Sequence, residues 1–465
     1  MEFQGLGRRE VVTKFDGGQI SSDGGSLLLR EVEQKTGIIR RLSEYFIDQR
    51  DPEAIEHRVE ELLAQRIYGI ALGYEDLNDH DRLRQDHLLA ILVGKSDPTG
   101  QNRVRRSDQG KALASSSTLN RLELTPCTAT RASRYKKIIA RMGQIDRLMT
   151  DIFLTAHDTP PKQIWLDLDA TDDPLHGSQE GRFFQGYYKS YCYLPLYIFS
   201  GEHLLSARLQ KANQDASAGS VEELSRIVPQ IRDRWPGVEI IIRGDSGFCR
   251  EEIMAWCEAN DVHYLLGLAK NERLKRTIAS ELAQAKAQYR TSGEAARVFK
   301  DFTYRTLNSW SRERRVVGKA EHLCRGANPR FVVSSLPPER YNDRTLYEDL
   351  YCARGDMENR IKEQQLDLFA DRTSSHTLRA NQLRLYFSSF AYILLCALRR
   401  IGLSGTGIAK AQCGTIRTKL LKIGARVRIS VRKVWISLAE SYPYAALFHQ
   451  IAENIRTRPP DYQPA

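Results

Sequence analysis

Residues 238–245 read Val238-Glu239-Ile240-Ile241-Ile242-Arg243-Gly244-Asp245. The mostly β-branched run from Val238 to Arg243 suits a central strand buried on both faces of a sheet. An acid then stands at its C-terminal end. Arg250 to Asn260 follows with a helical period, and Val262 to Leu268 reads as the next strand. Upstream, Val221 to Arg234 is helical in period, while His203 to Gln210 and the aromatic-rich Tyr187 to Phe199 are strand-like. Before them Ile164 to Asp169 alternates, with Ile164, Leu166 and Leu168 on one face and Trp165, Asp167 and Asp169 on the other. Strand, strand, strand, helix, strand, helix, strand predicts an α/β sheet with mixed strand directions.

Beyond this block the period changes. Short strands are predicted at Val298–Thr306, Arg314–Glu321 and Arg330–Ser334. Helix is predicted from Thr345 past Glu358, and again at Leu378–Arg400, Thr415–Ile423 and Val431–Ser441. Residues 1–150 read mostly as helix, clearest at Glu53 to Gly73, where Asp51-Pro52 supplies a cap and a first-turn proline. The length of 465 residues suits about three domains.

Composition narrows the function. The net charge is +11, and all of it falls after Met357–Glu358: from Asn359 onward there are 17 Lys/Arg against 6 Asp/Glu. Gln101 to Arg141 holds a second cluster of ten Lys/Arg, among them Arg105, Arg106, Lys136 and Lys137, against Asp108 and Glu123. Two basic regions flanking a neutral middle point to a long polyanion as partner. The longest apolar run, Phe390 to Leu398, is too short to span a bilayer, and Met1 to Glu10 has no signal-peptide core, so a cytoplasmic protein is expected. Eight cysteines without a C-x-x-C pair predict reduced thiols rather than a zinc ribbon or disulfide framework.

Three acids are candidates for chemistry. Asp169 and Asp245 stand at strand ends, where open α/β sheets place their sites. Glu358 lies on a helix whose positions 351, 354, 358, 362 and 365 share one face, a face of Tyr351, Arg354, Glu358 and Lys362 rather than a core stripe. Taken singly, each acid also suits a turn, a helix cap or a surface ion pair. Together they suit two Mg²⁺ ions, which take hard oxygen ligands and clamp an in-line phosphoryl displacement. Arg354 and Lys362 would then hold phosphates.

These motifs carry a resemblance. Leu166-Asp167-Leu168-Asp169-Ala170-Thr171, Arg243-Gly244-Asp245-Ser246-Gly247-Phe248 and Tyr351-x-x-Arg354-x-x-x-Glu358 resemble the three motifs of a DDE insertion-sequence transposase, closest to the insertion-sequence 1380 family of the insertion-sequence 4-like group. The likeness runs from the Ile20–Gly25 region to the C-terminal helices. It implies an RNase H-like catalytic core with a β-rich insertion, flanked by N- and C-terminal helical regions. The implied division is a helical DNA-binding domain at 1–150, the first part of the core at 151–270, the insertion at 271–344, core completion with the Glu helix at 345–400, and a basic helical region at 401–465.

The resemblance also implies Asp169, Asp245 and Glu358 as catalytic, metal-holding residues, with Mg²⁺ (or Mn²⁺) as cofactor. Asp169 is taken over Asp167 because Thr171 stands two residues after it. Tyr351, Arg354 and Lys362 would position DNA. The group's Lys, seven residues after the Glu, is Gln365 here, and Lys362 is its nearest substitute on that face. Trp310 reads either as a base-stacking residue or as sheet packing; Arg312, Arg314 and Arg315 read as DNA contacts or solvated charges. The partners implied are terminal inverted repeats and target DNA, bound by a homodimer associated with the bacterial nucleoid. The rivals are a nuclease or resolvase of the same fold, which cuts without joining, and a non-catalytic DNA-binding relative.

Overall fold

In a computed structural model, which describes residues 1–461, the run at 238–245 is the fourth strand of a nine-stranded mixed sheet. In spatial order the strands are His203–Arg208, Leu196–Ser200, Gln163–Ala170, Glu239–Gly244, His263–Leu268, Arg330–Ser334, Arg314–Leu323 and Ala296–Tyr304, with Gly326–Ala327 pairing off Arg314–Leu323. Gln163–Ala170, Glu239–Gly244 and His263–Leu268 are parallel to one another, and every other pairing is antiparallel.

The alternation read in Ile164–Asp169 divides the two faces. Ile164, Leu166 and Leu168 join Ile240, Ile242, Tyr264 and Leu266 under the helices Ser220–Arg234 and Glu251–Ala259, which bury Leu224, Ile227, Ile253 and Met254. The opposite face, carrying Trp165, Ile241, Leu265, Val317 and Val332, packs against Leu346, Tyr347 and Tyr351. The segment that brings Glu358 therefore covers the acidic face of the sheet.

The chain folds into two compact units, one of residues 1–142, 363–370 and 386–465, the other of residues 143–362 and 371–385. The strands expected as an insertion belong to the second unit and extend its sheet rather than forming one of their own.

Several local expectations are corrected. The predicted Tyr187–Phe199 strand is two, Ser190–Tyr193 and Leu196–Ser200, in different sheets. Pro195 lies between them and has no N–H for a ladder. The predicted Glu53–Gly73 helix is a short turn, Pro52–Ala54, capped by Asp51, followed by the helix Val59–Ala71. The first unit is also not wholly helical. Helix is expected at Val431–Ser441, but Val434–Leu438 is a strand pairing with Ala425–Ile429, which pairs in turn with Gln19–Ser21. Ala425 and Val427 are buried while Arg426 and Arg428 point outward, so period 2 prevails. The Gly24-Gly25 pair lies beside this sheet: a side chain on Gly25 would meet the Leu420 carbonyl oxygen at 1.6 Å. No helix among the described residues is long and apolar enough to cross a membrane, and the eight cysteines are thiols rather than disulfides.

Candidate active site

Asp169 is the penultimate residue of its strand, and Asp245 follows directly on its own. Gly244 pairs with Leu168 in parallel register, so the next residues along, Asp245 and Asp169, come to neighbouring positions on one face. Asp245 is half-buried and its Oδ1 accepts a hydrogen bond from the Gly247 N–H at 2.7 Å. It thus shapes its own turn. The helix Glu251–Ala259 begins at Arg250 and takes no cap from Asp245.

Two residues upstream, Arg243 and Asp167 are direct register partners. Arg243 donates Nε and Nη2 to the two carboxylate oxygens of Asp167 at 2.5 and 2.8 Å, and both side chains are buried. Arg243 also donates to the Leu350 carbonyl, one residue before Tyr351. Asp167 is thus occupied in a structural pair. Burial pushes its carboxyl above the ordinary range against the pull of Arg243.

The covering segment is irregular: a π turn at Leu346–Tyr351, a tight turn at Cys352–Arg354, then the α-helix Gly355–Lys362. Such π turns are frequent at functional sites. Tyr351 places its hydroxyl over the backbone of Gly267, where a Cβ would lie 2.4 Å from the phenol oxygen. Arg354 donates to Asp169 at 3.4 Å and to Glu358 at 2.9 Å, so one guanidinium joins the first and third acids. Burial pushes the Asp169 carboxyl up to about 6; Arg354 opposes this, while the charges of Asp245 and Glu358 add to it. Tyr351 is likewise raised by burial, with Arg354 lowering and Asp245 raising it.

The structure therefore gathers Asp169, Asp245, Glu358, Tyr351 and Arg354 in one neighbourhood. Lys362 is exposed at the end of the same helix, and Gln365 lies in the π turn that follows, Glu363–Asp367. Among the described residues no three His, Cys, Asp or Glu side chains group closely enough to hold a metal ion. The cation among these acids is Arg354. The donor set nonetheless fits a hard cation, being all carboxylate oxygen, with one carboxyl held above its ordinary range by burial and by its acidic neighbours.

A family model described as transposase DDE domain, group 1, matches residues 3–460. The chain belongs to that family. No curated protein matches it. Membership in a DDE transposase family brings with it the general use of divalent metal ions and DNA as the partner.

Other candidates lie apart from this neighbourhood. Trp310 is 4% exposed and packs edge-on to Tyr304 at 5.8 Å, with the Arg314 guanidinium 5.5 Å from its ring centre. It belongs to the core under the helical face, and a buried indole has no face to offer a base. Arg314 is buried between Glu251 and Glu258 at 2.6 and 2.7 Å, and Arg315 pairs with Asp301 at 2.5 Å, so both are structural rather than solvated or free for DNA. In the first unit Arg105, Arg106 and Lys136 are exposed and Lys137 is half-buried. Nearby, Tyr135 lies between the guanidinium groups of Arg121 and Arg134, 4.8 and 4.9 Å from its ring centre. Arg103 is instead tied to Glu56 and His57.

Sequence reasoning misses Arg243 as the buried partner of Asp167. Its signal is present: in parallel strands, Arg243 and Asp167 stand equally far before the two end acids.

Proposed function

We propose that this chain is a DNA transposase of the insertion-sequence 1380 type, which cleaves strands at the ends of its element and joins them to target DNA. The observation that carries the reading is the convergence of Asp169, Asp245 and Glu358 around Arg354, on adjacent strand ends and the covering helix, in a chain matching the DDE family almost throughout. The parallel strands and their covering helix act as an RNase H-like core in this reading.

Asp169, Asp245 and Glu358 would hold Mg²⁺. When bound, that metal would supply stabilisation of charge on the attacking and leaving oxygens of phosphoryl transfer. The chain's own part is to present the carboxylates and the DNA. Arg354 releases its acids and turns its planar donors to a phosphate, for which a guanidinium is well shaped. The Tyr351 hydroxyl, held against Gly267, gives a fixed donor on the same side. Lys362 meets the backbone farther along. Arg105, Arg106, Lys136 and Lys137, with the rest of 1–150, would read the terminal repeat. The basic hairpin at Ala425–Leu438 would hold flanking DNA, and a homodimer would pair two ends.

The test is cleavage of a supercoiled plasmid carrying the native element ends with Mg²⁺, mapped to the nucleotide, followed by a strand-joining assay. Cleavage at the ends with joining supports the proposal. Cutting without joining indicates a nuclease or resolvase, and binding without cutting indicates a non-catalytic relative.

A further inference from the structure

Directly after Asp169 the chain builds a small sheet. Ser190–Tyr193 lies between Asp173–Pro174 and Phe183–Gln185, all antiparallel. Its hairpin reads Arg182-Phe183-Phe184-Gln185-Gly186-Tyr187-Tyr188-Lys189-Ser190-Tyr191. Rings so concentrated ordinarily form core. Here Tyr187 is 86% exposed, Phe184 57%, Tyr191 45% and Phe183 39%. Scattered exposed rings need no explanation, but four along one ten-residue hairpin, two of them in contact, mark an interaction surface.

The arrangement is ordered. Phe184 and Tyr191 are direct register partners with ring centres 5.5 Å apart. The Arg182 guanidinium lies 4.0 Å from the centre of the Tyr191 ring and also donates to the Gly177 carbonyl, which fixes it there. Tyr187 stands edge-on to Tyr188 at 4.9 Å. Tyr188 is the inward ring. It packs with Ala170, the residue after Asp169, against Cys192, Leu194 and Ala212. Through Ala170 the hairpin is rooted one residue from the Asp169 carboxylate.

We propose that this hairpin is a stacking platform for unpaired DNA bases next to the phosphate being cut. The inference rests on the DNA-cleaving function proposed above. Every base has a π face, so exposed aromatic rings bind unpaired strands with little sequence preference. Arg182 and Lys189 add positive charge, and no acid interrupts 181–191, which fits a polyanion. Where the strands part beside these acids, the platform holds the opened bases.

The experiment uses the full chain without divalent metal. Two probes are compared: a fully paired duplex, and the same duplex ending in a short unpaired thymidine tail. A 2-aminopurine in the tail reports stacking. The wild type is expected to bind the tailed probe more tightly and to quench the fluorophore. Phe184→Ala/Tyr187→Ala/Tyr191→Ala is expected to lose that preference by about tenfold and to lose the quenching, with binding to the paired probe retained. Because these rings are exposed, the variant keeps its core, and Tyr191→Phe is expected to keep the preference. Equal tail preference in wild type and triple variant overturns the inference, as does a wild type without tail preference. A change of the variant's oligomeric state with tail binding intact also overturns it, assigning the surface to a second copy of the chain. If the wild type does not bind paired DNA and, once Mg²⁺ is added, does not cut it, the DNA-cleaving reading itself fails; if it does both without tail preference, only the platform fails.

Discussion

Arg354 reaches Asp169 at 3.4 Å across 185 residues of chain. The contact has a thermodynamic meaning, because Asp169 is a carboxyl that burial holds at about 6 and Arg354 is the cation that keeps it from rising further. A group of this kind costs the folded state most when it is ionised.

Stability should therefore depend on Asp169 in a defined pH window. Below about 3.8 the carboxyl is protonated in folded and unfolded chains alike, and the penalty vanishes. As pH rises through about 6 the folded carboxyl must ionise against burial, and stability falls. Asp169→Asn is expected to stabilise the protein by up to about 3 kcal/mol above this window and not at all below it. Urea denaturation of both proteins at several pH values checks it. Metal-dependent cleavage by the wild type should decline below about pH 6, as the carboxylate is lost.

Asp245→Asn separates chemistry from binding. The amide keeps the shape and accepts the Gly247 hydrogen bond, but removes a charge that a hard cation needs. Plasmid cleavage should fall by orders of magnitude while gel-shift affinity for duplex DNA persists. Robust cleavage by a folded Asp245→Asn protein would remove Asp245 from the catalytic set.

The neighbouring acid should behave differently. Arg243→Leu leaves Asp167 buried and unpaired, at a cost of about 3–5 kcal/mol. Replacing both partners, as in Asp167→Leu/Arg243→Met, should restore much of that loss. The free energies of the two single variants and the double variant, measured by chemical denaturation, decide whether the pair is coupled; additive effects would show that it is not.

Trp310→Ala should act on stability rather than on DNA. Removing a large buried ring typically costs about 3–5 kcal/mol. Duplex affinity measured well below the melting temperature should stay at the wild-type level. A variant that melts normally yet loses affinity would return Trp310 to the DNA surface.

Binding should weaken steeply with salt, since Arg105, Arg106 and Lys136 stand exposed and Arg426 and Arg428 line the outer side of their strand. Each phosphate contact releases counterions, giving a negative slope in a log–log plot of affinity against salt. A flat plot would place these charges away from DNA.

Much of the candidate neighbourhood is legible from local periodicity. Period 2 in Ile164–Asp169 and the buried run at 238–243 place two acids at strand ends, and helical spacing groups Tyr351, Arg354 and Glu358. What is not legible depends on distant partners. Trp310 is buried with Arg314, which is held by Glu251 and Glu258 more than fifty residues earlier. That Asp167 is held by Arg243 depends on the register between two strands 76 residues apart, which no local pattern shows. The strand at Val434–Leu438 reads as helix although Val-Trp-Ile is β-favouring, because its pairing partner lies on the other side of a turn. The two units cannot be read as segments, since the chain passes between them four times.

The strand Arg330–Ser334 lies against His263–Leu268, itself the neighbour of the Asp245 strand. The length of chain between the second and third acids is therefore no detachable cassette. Excising it would bare the donors and acceptors of Leu265–Leu268 along an apolar edge, an invitation to pair with another molecule. Lengthened turns in this stretch would leave the sheet intact, but a strand at Arg330–Ser334 is what closes the flank beside the Asp245 strand.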